Sequence, residues 1–89
     1  MTSLATAQFW KCFEQLPKHI QRKAKDSFKL WKTDINHPSL QFKKIHSDKN
    51  IYSVRIGFAY RAIGVREQET IIWFWIGSHE SYNNLITEV

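Results

Sequence analysis

Two arginines, a histidine and a pair of lysines are the residues of this 89-residue chain whose types and spacing suit work on a phosphate: Arg55, Arg61, His79, Lys43 and Lys44. Arginine offers phosphate oxygens a planar fork of donors, and lysine offers a compact point charge. An imidazole titrates near neutrality and can take or give a proton there. If His79 stands beside the cations, RNA cleavage is the chemistry this set can support. One group removes the 2′-hydroxyl proton, another protonates the leaving oxygen, and the cations hold the developing negative charge. The RNA's own 2′-hydroxyl is then the nucleophile, and one well-placed acid or base contributes about 100- to 10,000-fold in rate. Plainer roles exist for the same residues. A lone histidine just past a strand also serves as a cap, and Arg55 and Arg61 can be exposed strand residues paired with Glu67 or Glu69.

The elements that must position these groups are legible from periodicity. Tyr52, Val54 and Ile56 alternate with Ile51, Ser53 and Arg55, which predicts a strand over Ile51 to Ile56 with Arg55 on its less buried side. Gly57 permits a bend into a second strand, Tyr60 to Arg66, and Glu67 to Glu69 form the next tight turn. Thr70 to Ile76 is apolar after its first position and rich in Ile and Trp, as a central strand covered on both faces requires, and Gly77 is expected to end it. His79 then lies just past that strand, held by it and open to solvent. Trp73, Phe74 and Trp75 have the faces to stack on bases, but their consecutive placement in a central strand favours core packing.

Upstream, Phe9, Cys12, Phe13 and Leu16 recur at the spacing of one helical face, predicting a helix from Leu4 to Leu16 with Ser3 or Thr6 at its start. Pro17 suits the first turn of a second helix, whose stripe is Ile20, Ala24, Phe28 and Trp31. Its other face carries Lys18, Arg22, Lys23, Lys25, Lys29 and Lys32, which the plain reading makes a solvated surface. Asp34 to Pro38 connects, Ser39 to Ile45 alternates well enough for a first strand, and Tyr82, Leu85 and Ile86 suggest a short closing helix. The expected fold is α+β: a two-helix hairpin on one face of a small four-stranded antiparallel sheet, with a short C-terminal helix, in one domain over residues 1–89. The other sheet face would carry Lys43 or Lys44, Arg55, Arg61 and, at its rim, His79.

Composition narrows the class. A formal charge of +5 and a pI near 9.6 favour a polyanion or an acidic protein as partner. Cys12 is the only cysteine, which leaves no internal disulfide or cysteine-based zinc cage and points to a reducing cytoplasmic setting. His19, His37 and His46 do not cluster with other ligand types, so no metal and no cofactor is expected. The longest apolar stretch, Ile71 to Ile76, is far below the roughly 20 residues of a membrane span, so no membrane partner is expected either.

The segments YSVRIG (Tyr52 to Gly57), YRAIGV (Tyr60 to Val65) and WIGSHESY (Trp75 to Tyr82), taken in this order on consecutive strands, resemble the RelE/ParE superfamily of toxins from type II toxin–antitoxin systems. The resemblance extends over essentially the whole chain. It implies the fold just derived, cleavage of mRNA in the ribosomal A site in the RelE-like branch, and neutralisation by a cognate antitoxin that covers the basic surface. It implies that Arg55 and Arg61 contact the scissile phosphate and that His79 stands where relatives have either a His acting as general acid or base or an Arg. It also implies that Tyr82 is an aromatic that stacks on a base or orients substrate, with Lys43 and Lys44 adding backbone contacts. Ser53 departs from the pattern, standing where some ribonucleases of the family have a further lysine. Two other functions fit the resemblance: a ParE-like inhibitor that binds DNA gyrase, and a non-catalytic module that only pairs with an antitoxin.

Overall fold

A computed structural model describes residues 1–88. Its elements in chain order are β1 (Thr2–Ala5), α1 (Ala7–Glu14), α2 (Lys18–Thr33), a 3-10 turn at Pro38–Leu40, β2 (Lys43–Lys44), β3 (Ile51–Ile56), β4 (Tyr60–Glu67), β5 (Thr70–Ser78) and α3 (His79–Glu88). The strands form one five-stranded sheet in the order β1-β5-β4-β3-β2. The α+β class and the helical hairpin stand as expected. The sheet has one strand more, β1, which pairs parallel with β5 while the other neighbours are antiparallel.

The first helix therefore starts later than its apolar spacing suggests. Thr2 to Ala5 is strand, and Thr6 is the residue that caps α1, its Oγ1 accepting from the Phe9 amide at 3.1 Å. Ser3, the other candidate cap, instead accepts a hydrogen bond from the Trp73 indole at 3.0 Å. The first expected strand also shrinks. Pro38 opens a 3-10 turn that buries Leu40, and Gln41 turns the chain in a left-handed conformation at φ 44°, so only Lys43 and Lys44 join the ladder.

One face of the sheet holds the main core. Val54, Ile56, Ala62, Ile71, Trp73 and Ile76 pack against Phe9 and Phe13 of α1 and Ala24 and Trp31 of α2. Aromatic edges organise it: Trp31 meets Trp73 at 5.7 Å between centroids, and Phe28 meets Trp73 at 5.2 Å. The lysines and the arginine of α2's outer face are exposed, as a solvated surface requires. Among the described residues, no helix is long and apolar enough to cross a membrane.

A register shift lies between Ile63 and Gly64: Ile63 pairs with Trp75 and Gly64 with Trp73, leaving Phe74 as the extra residue of β5. The bulge separates the tryptophans' roles. Trp73 is buried on the helix face, whereas Trp75 is half-buried on the opposite face beside Gly77. Gly77 does not end the strand. It pairs with Arg61, and β5 continues to Ser78 because the missing side chain leaves room for the Trp75 ring, which a Cβ there would approach to 2.6 Å. Ser78 then accepts from the Ser81 amide at 3.2 Å and so starts α3.

At Gly64 a Cβ would lie 2.9 Å from the buried Trp73 ring and 3.0 Å from the Ile72 carbonyl oxygen. Gly64→Ala is expected to destabilise the fold by about 1–3 kcal/mol, the usual cost of overpacking a filled core. Urea denaturation of the two proteins measures it, and an unchanged midpoint would show that the bulge relaxes freely.

Candidate functional site

The site is built on the sheet face opposite the main core. In the β3–β4 ladder Arg55 pairs with Arg61 and Ser53 with Ile63, and in the β4–β5 ladder Arg61 pairs with Gly77. Directly paired residues share a face, so both arginines and Ser53 stand together. Lys43 pairs with Ser53 and shares this face, while Lys44 pairs with Tyr52 and points to the other.

The face is not the open platform its alternation suggests. Ser53 has no exposed surface and Arg61 is only 4 % exposed, because α3 lays Tyr82 across the arginine. The Arg61 guanidinium carbon lies 5.2 Å from the Tyr82 ring centroid. Its Nε and Nη2 donate to the Ser53 hydroxyl at 3.2 and 2.8 Å, its Nη2 to the Gln41 carbonyl at 3.2 Å and its Nη1 to Gln41 Oε1 at 3.4 Å. Each of these acceptors is neutral. Burial pulls the Arg61 pKa below its ordinary value; Tyr82 opposes the shift, and the like charge of Arg55 adds to it. An arginine in this state keeps its charge at neutral pH, and among the described residues no carboxylate pairs with it.

Around that guanidinium lies a pocket of about 250 Å³ lined by Gln41, Arg55, Phe58, Tyr60, Arg61 and His79. Arg55 is half-buried, with its Nε donating to the Gly57 carbonyl at 3.0 Å and its guanidinium carbon 5.3 Å from the Phe58 ring centroid. His79 is exposed at the first position of α3, and its amide donates to the Ala59 carbonyl at 2.6 Å, joining the β3–β4 turn to the helix. The imidazole and the Tyr82 ring are 5.7 Å apart.

Of the residues singled out from sequence, Arg55, Arg61 and His79 meet at the pocket. Tyr82 lies beneath, between Arg61 and His79, and is itself buried at 6 % exposure. Lys43 and Lys44 are exposed and lie outside the pocket's lining. The plainer alternative, Arg55 or Arg61 paired with Glu67 or Glu69, does not form among the described residues; Glu69 instead meets Arg66 at 3.7 Å. Gln41, Phe58 and Tyr60 line the pocket without having been singled out. Gln41 lies twenty residues from Arg61 in a segment that reads as strand, and only its left-handed turn brings it close. Ser53 suits its buried place beside the arginine. A second cation at that buried position would face the Arg61 guanidinium, whereas a hydroxyl accepts two of its donors.

The architecture is a two-helix hairpin on one face of a five-stranded sheet, with a cationic pocket on the far face. The chain belongs to the family of the ParE-like toxin domain, whose model matches residues 18–84. Solved structures agree in fold. The chain is similar to one in the RelB–RelE antitoxin–toxin complex of Methanococcus jannaschii, at 24 % identity and a TM-score of 0.73, covering 92 % of this chain and 96 % of that one. It is also similar to YafQ of Escherichia coli, at 13 % identity and a TM-score of 0.71 over 90 % and 94 % of the two chains. For the isolated RelE toxin of Escherichia coli the values are 12 %, 0.66, 98 % and 96 %. No curated protein matches the sequence.

Ser53→Ala removes an acceptor from two guanidinium donors at a fully buried position. It is expected to cost about 1.5–3 kcal/mol, the range for a hydrogen bond to a charged group. Urea denaturation tests this, and a loss near zero would mean that water replaces the hydroxyl.

Proposed function

We propose that residues 1–89 form a single toxin domain of a type II toxin–antitoxin pair and that it cleaves mRNA on the ribosome. The observation that carries this reading is the Arg61 guanidinium, 4 % exposed, held among the described residues by neutral acceptors, and bordering a pocket together with Arg55 and an exposed His79. A phosphodiester supplies the missing negative charge. With a scissile phosphate in the pocket, the forks of Arg55 and Arg61 bind its non-bridging oxygens and stabilise the extra charge of the transition state. The message's 2′-hydroxyl oxygen attacks the phosphorus and loses its proton. The bond to the 5′ oxygen breaks, and that oxygen gains a proton, leaving a cyclic phosphate and a free 5′-hydroxyl. His79 carries one of these proton transfers. Tyr82 holds Arg61 and flanks the imidazole, so its role is to position both. Lys43, on the same sheet face, extends the positive surface along the RNA backbone, and Lys44 adds charge at the sheet edge.

His79 is the informative position because it is exposed, so its replacement leaves the core alone. His79→Ala is expected to lower cleavage of a translated message by about 100- to 10,000-fold, with an unchanged thermal midpoint. Primer extension on translated and untranslated reporter messages after brief induction reads this out. Growth arrest with DNA damage and no cut message would move the reading to gyrase binding. A folded His79→Ala protein that cuts as well as the parent would remove the acid–base role.

The cognate antitoxin is the second proposed partner, supported by relatives that were solved as antitoxin–toxin complexes. On this chain the strongest candidate for its seat is an apolar groove of about 520 Å³ between β1, α1 and α2. It exposes Leu4 and Trp10, at 53 % and 50 %, and is bordered by Lys25, Lys29 and Lys32. A segment with apolar side chains flanked by carboxylates complements it. Reversing the three lysines to glutamate is expected to slow association and flatten its salt dependence, while Trp10→Ala speeds dissociation. Stopped-flow mixing with the antitoxin measures both, and rates unchanged in both variants would put the antitoxin elsewhere.

A further inference from the structure

Phe58 is 88 % exposed, more than any other large hydrophobic side chain described, and it borders the pocket of Arg55, Arg61 and His79. It stands in the short link between β3 and β4, a place that ordinarily takes Gly, Asn or Asp. Nothing in the core gains from it. Yet the link is held in place. Gly57 adopts φ 59°, its carbonyl accepts from Arg55 at 3.0 Å, and the Ala59 carbonyl accepts from the His79 amide at 2.6 Å. The Arg55 guanidinium lies over the ring at 5.3 Å, backing it from one side. The result is an aromatic face at the rim of a cationic pocket, on the same held turn whose Ala59 carbonyl accepts from the amide of the proposed acid or base.

We propose that Phe58 is a stacking platform for a nucleobase next to the scissile phosphate, and so sets how the message is seated. This rests on the ribonuclease reading above. Single-stranded RNA is recognised by splaying bases onto aromatic side chains while cations track the phosphates, and the pocket presents both groups side by side. Stacking of this kind tolerates any base, because each has a π face. Phe58 therefore contributes to binding and placement, while sequence preference is decided elsewhere.

The test is single-turnover cleavage of a defined message on programmed ribosomes by the parent, Phe58→Ala, Phe58→Leu and Phe58→Trp, with His79→Ala as the inactive control. Removing the ring is expected to raise the half-saturating protein concentration about 5- to 150-fold, the equivalent of 1–3 kcal/mol per stacked base. The rate at saturation should change little. Phe58→Leu should fall with Phe58→Ala, since it keeps apolar bulk without a π face, and Phe58→Trp should retain parental half-saturation. All three should fold with the parent's thermal midpoint, given the ring's exposure. Parental half-saturation in Phe58→Ala, with His79→Ala inactive, would overturn the platform and leave the ribonuclease reading standing. An unaffected cleavage curve with weakened antitoxin binding would assign the ring to the protein interface instead. A parent that cuts no message would overturn both readings.

Discussion

A buried charge with no counter-charge among the described residues is the constraint on which this structure turns. Arg61 sits in the middle strand of the sheet, and taking a guanidinium out of water costs several kcal/mol unless its donors are met. Three parts of the chain meet them: the Ser53 hydroxyl from β3, the main chain and side chain of Gln41 from the turn before β2, and the Tyr82 ring from α3. Each part is placed by something else. Ser53 depends on the β3–β4 register, Gln41 on a left-handed backbone, and Tyr82 on the helix begun by Ser78. All of these donors' partners are neutral, so the arginine is held in position and stays electrostatically unmatched among the described residues. That combination is preorganisation for an anion: the cost of fixing the cation is met in folding rather than at the moment of binding.

The two sheet faces divide the work. One is closed by α1 and α2 over a core of aromatic edges around Trp73. The other is closed only in part, by α3 and the Trp75 ring, and its remaining gap is the pocket. The bulge at Phe74 lets a single tryptophan-rich strand serve both faces. Tyr82 and Arg61 are 6 % and 4 % exposed, so alanine at either site removes packing or leaves donors unmet, and lost activity would not by itself mark catalysis. His79 and Phe58 are exposed and report on chemistry and binding more directly.

Strands β3, β4 and β5 were legible because alternation in β3 and a continuous apolar run in β5 are separated by breaks at Gly57 and Gln68, both with positive φ. The helical stripes were legible for the same kind of reason, since Phe9, Phe13, Ile20, Ala24 and Trp31 repeat at helical spacing and are buried. Strand β1 was not. Its four residues are mostly exposed, and its parallel pairing with β5 joins residues nearly seventy positions apart, which no local pattern announces. The helix pattern reached back over Leu4 because its lone apolar side chain fits either reading, and half of it is in fact exposed. Likewise Ser39 to Ile45 alternates like a strand, but Pro38 and the burial of Leu40 prevail over local propensity.

For the site, residue identity and order along the chain were enough to single out Arg55, Arg61 and His79, since side chains that handle phosphate and protons are few and strand periodicity puts both arginines on one face. The sequence by itself determined that composition of charge and that sidedness. Only the tertiary structure decided that Arg61 is buried and unmatched, that Gln41 and Phe58 join the pocket, and that Lys43 and Lys44 stand outside it. The physical reason is that burial and convergence are properties of contacts between distant segments. A turn at φ 44° and a helix laid over the sheet create them, and neither leaves a periodic trace in the residues it brings together.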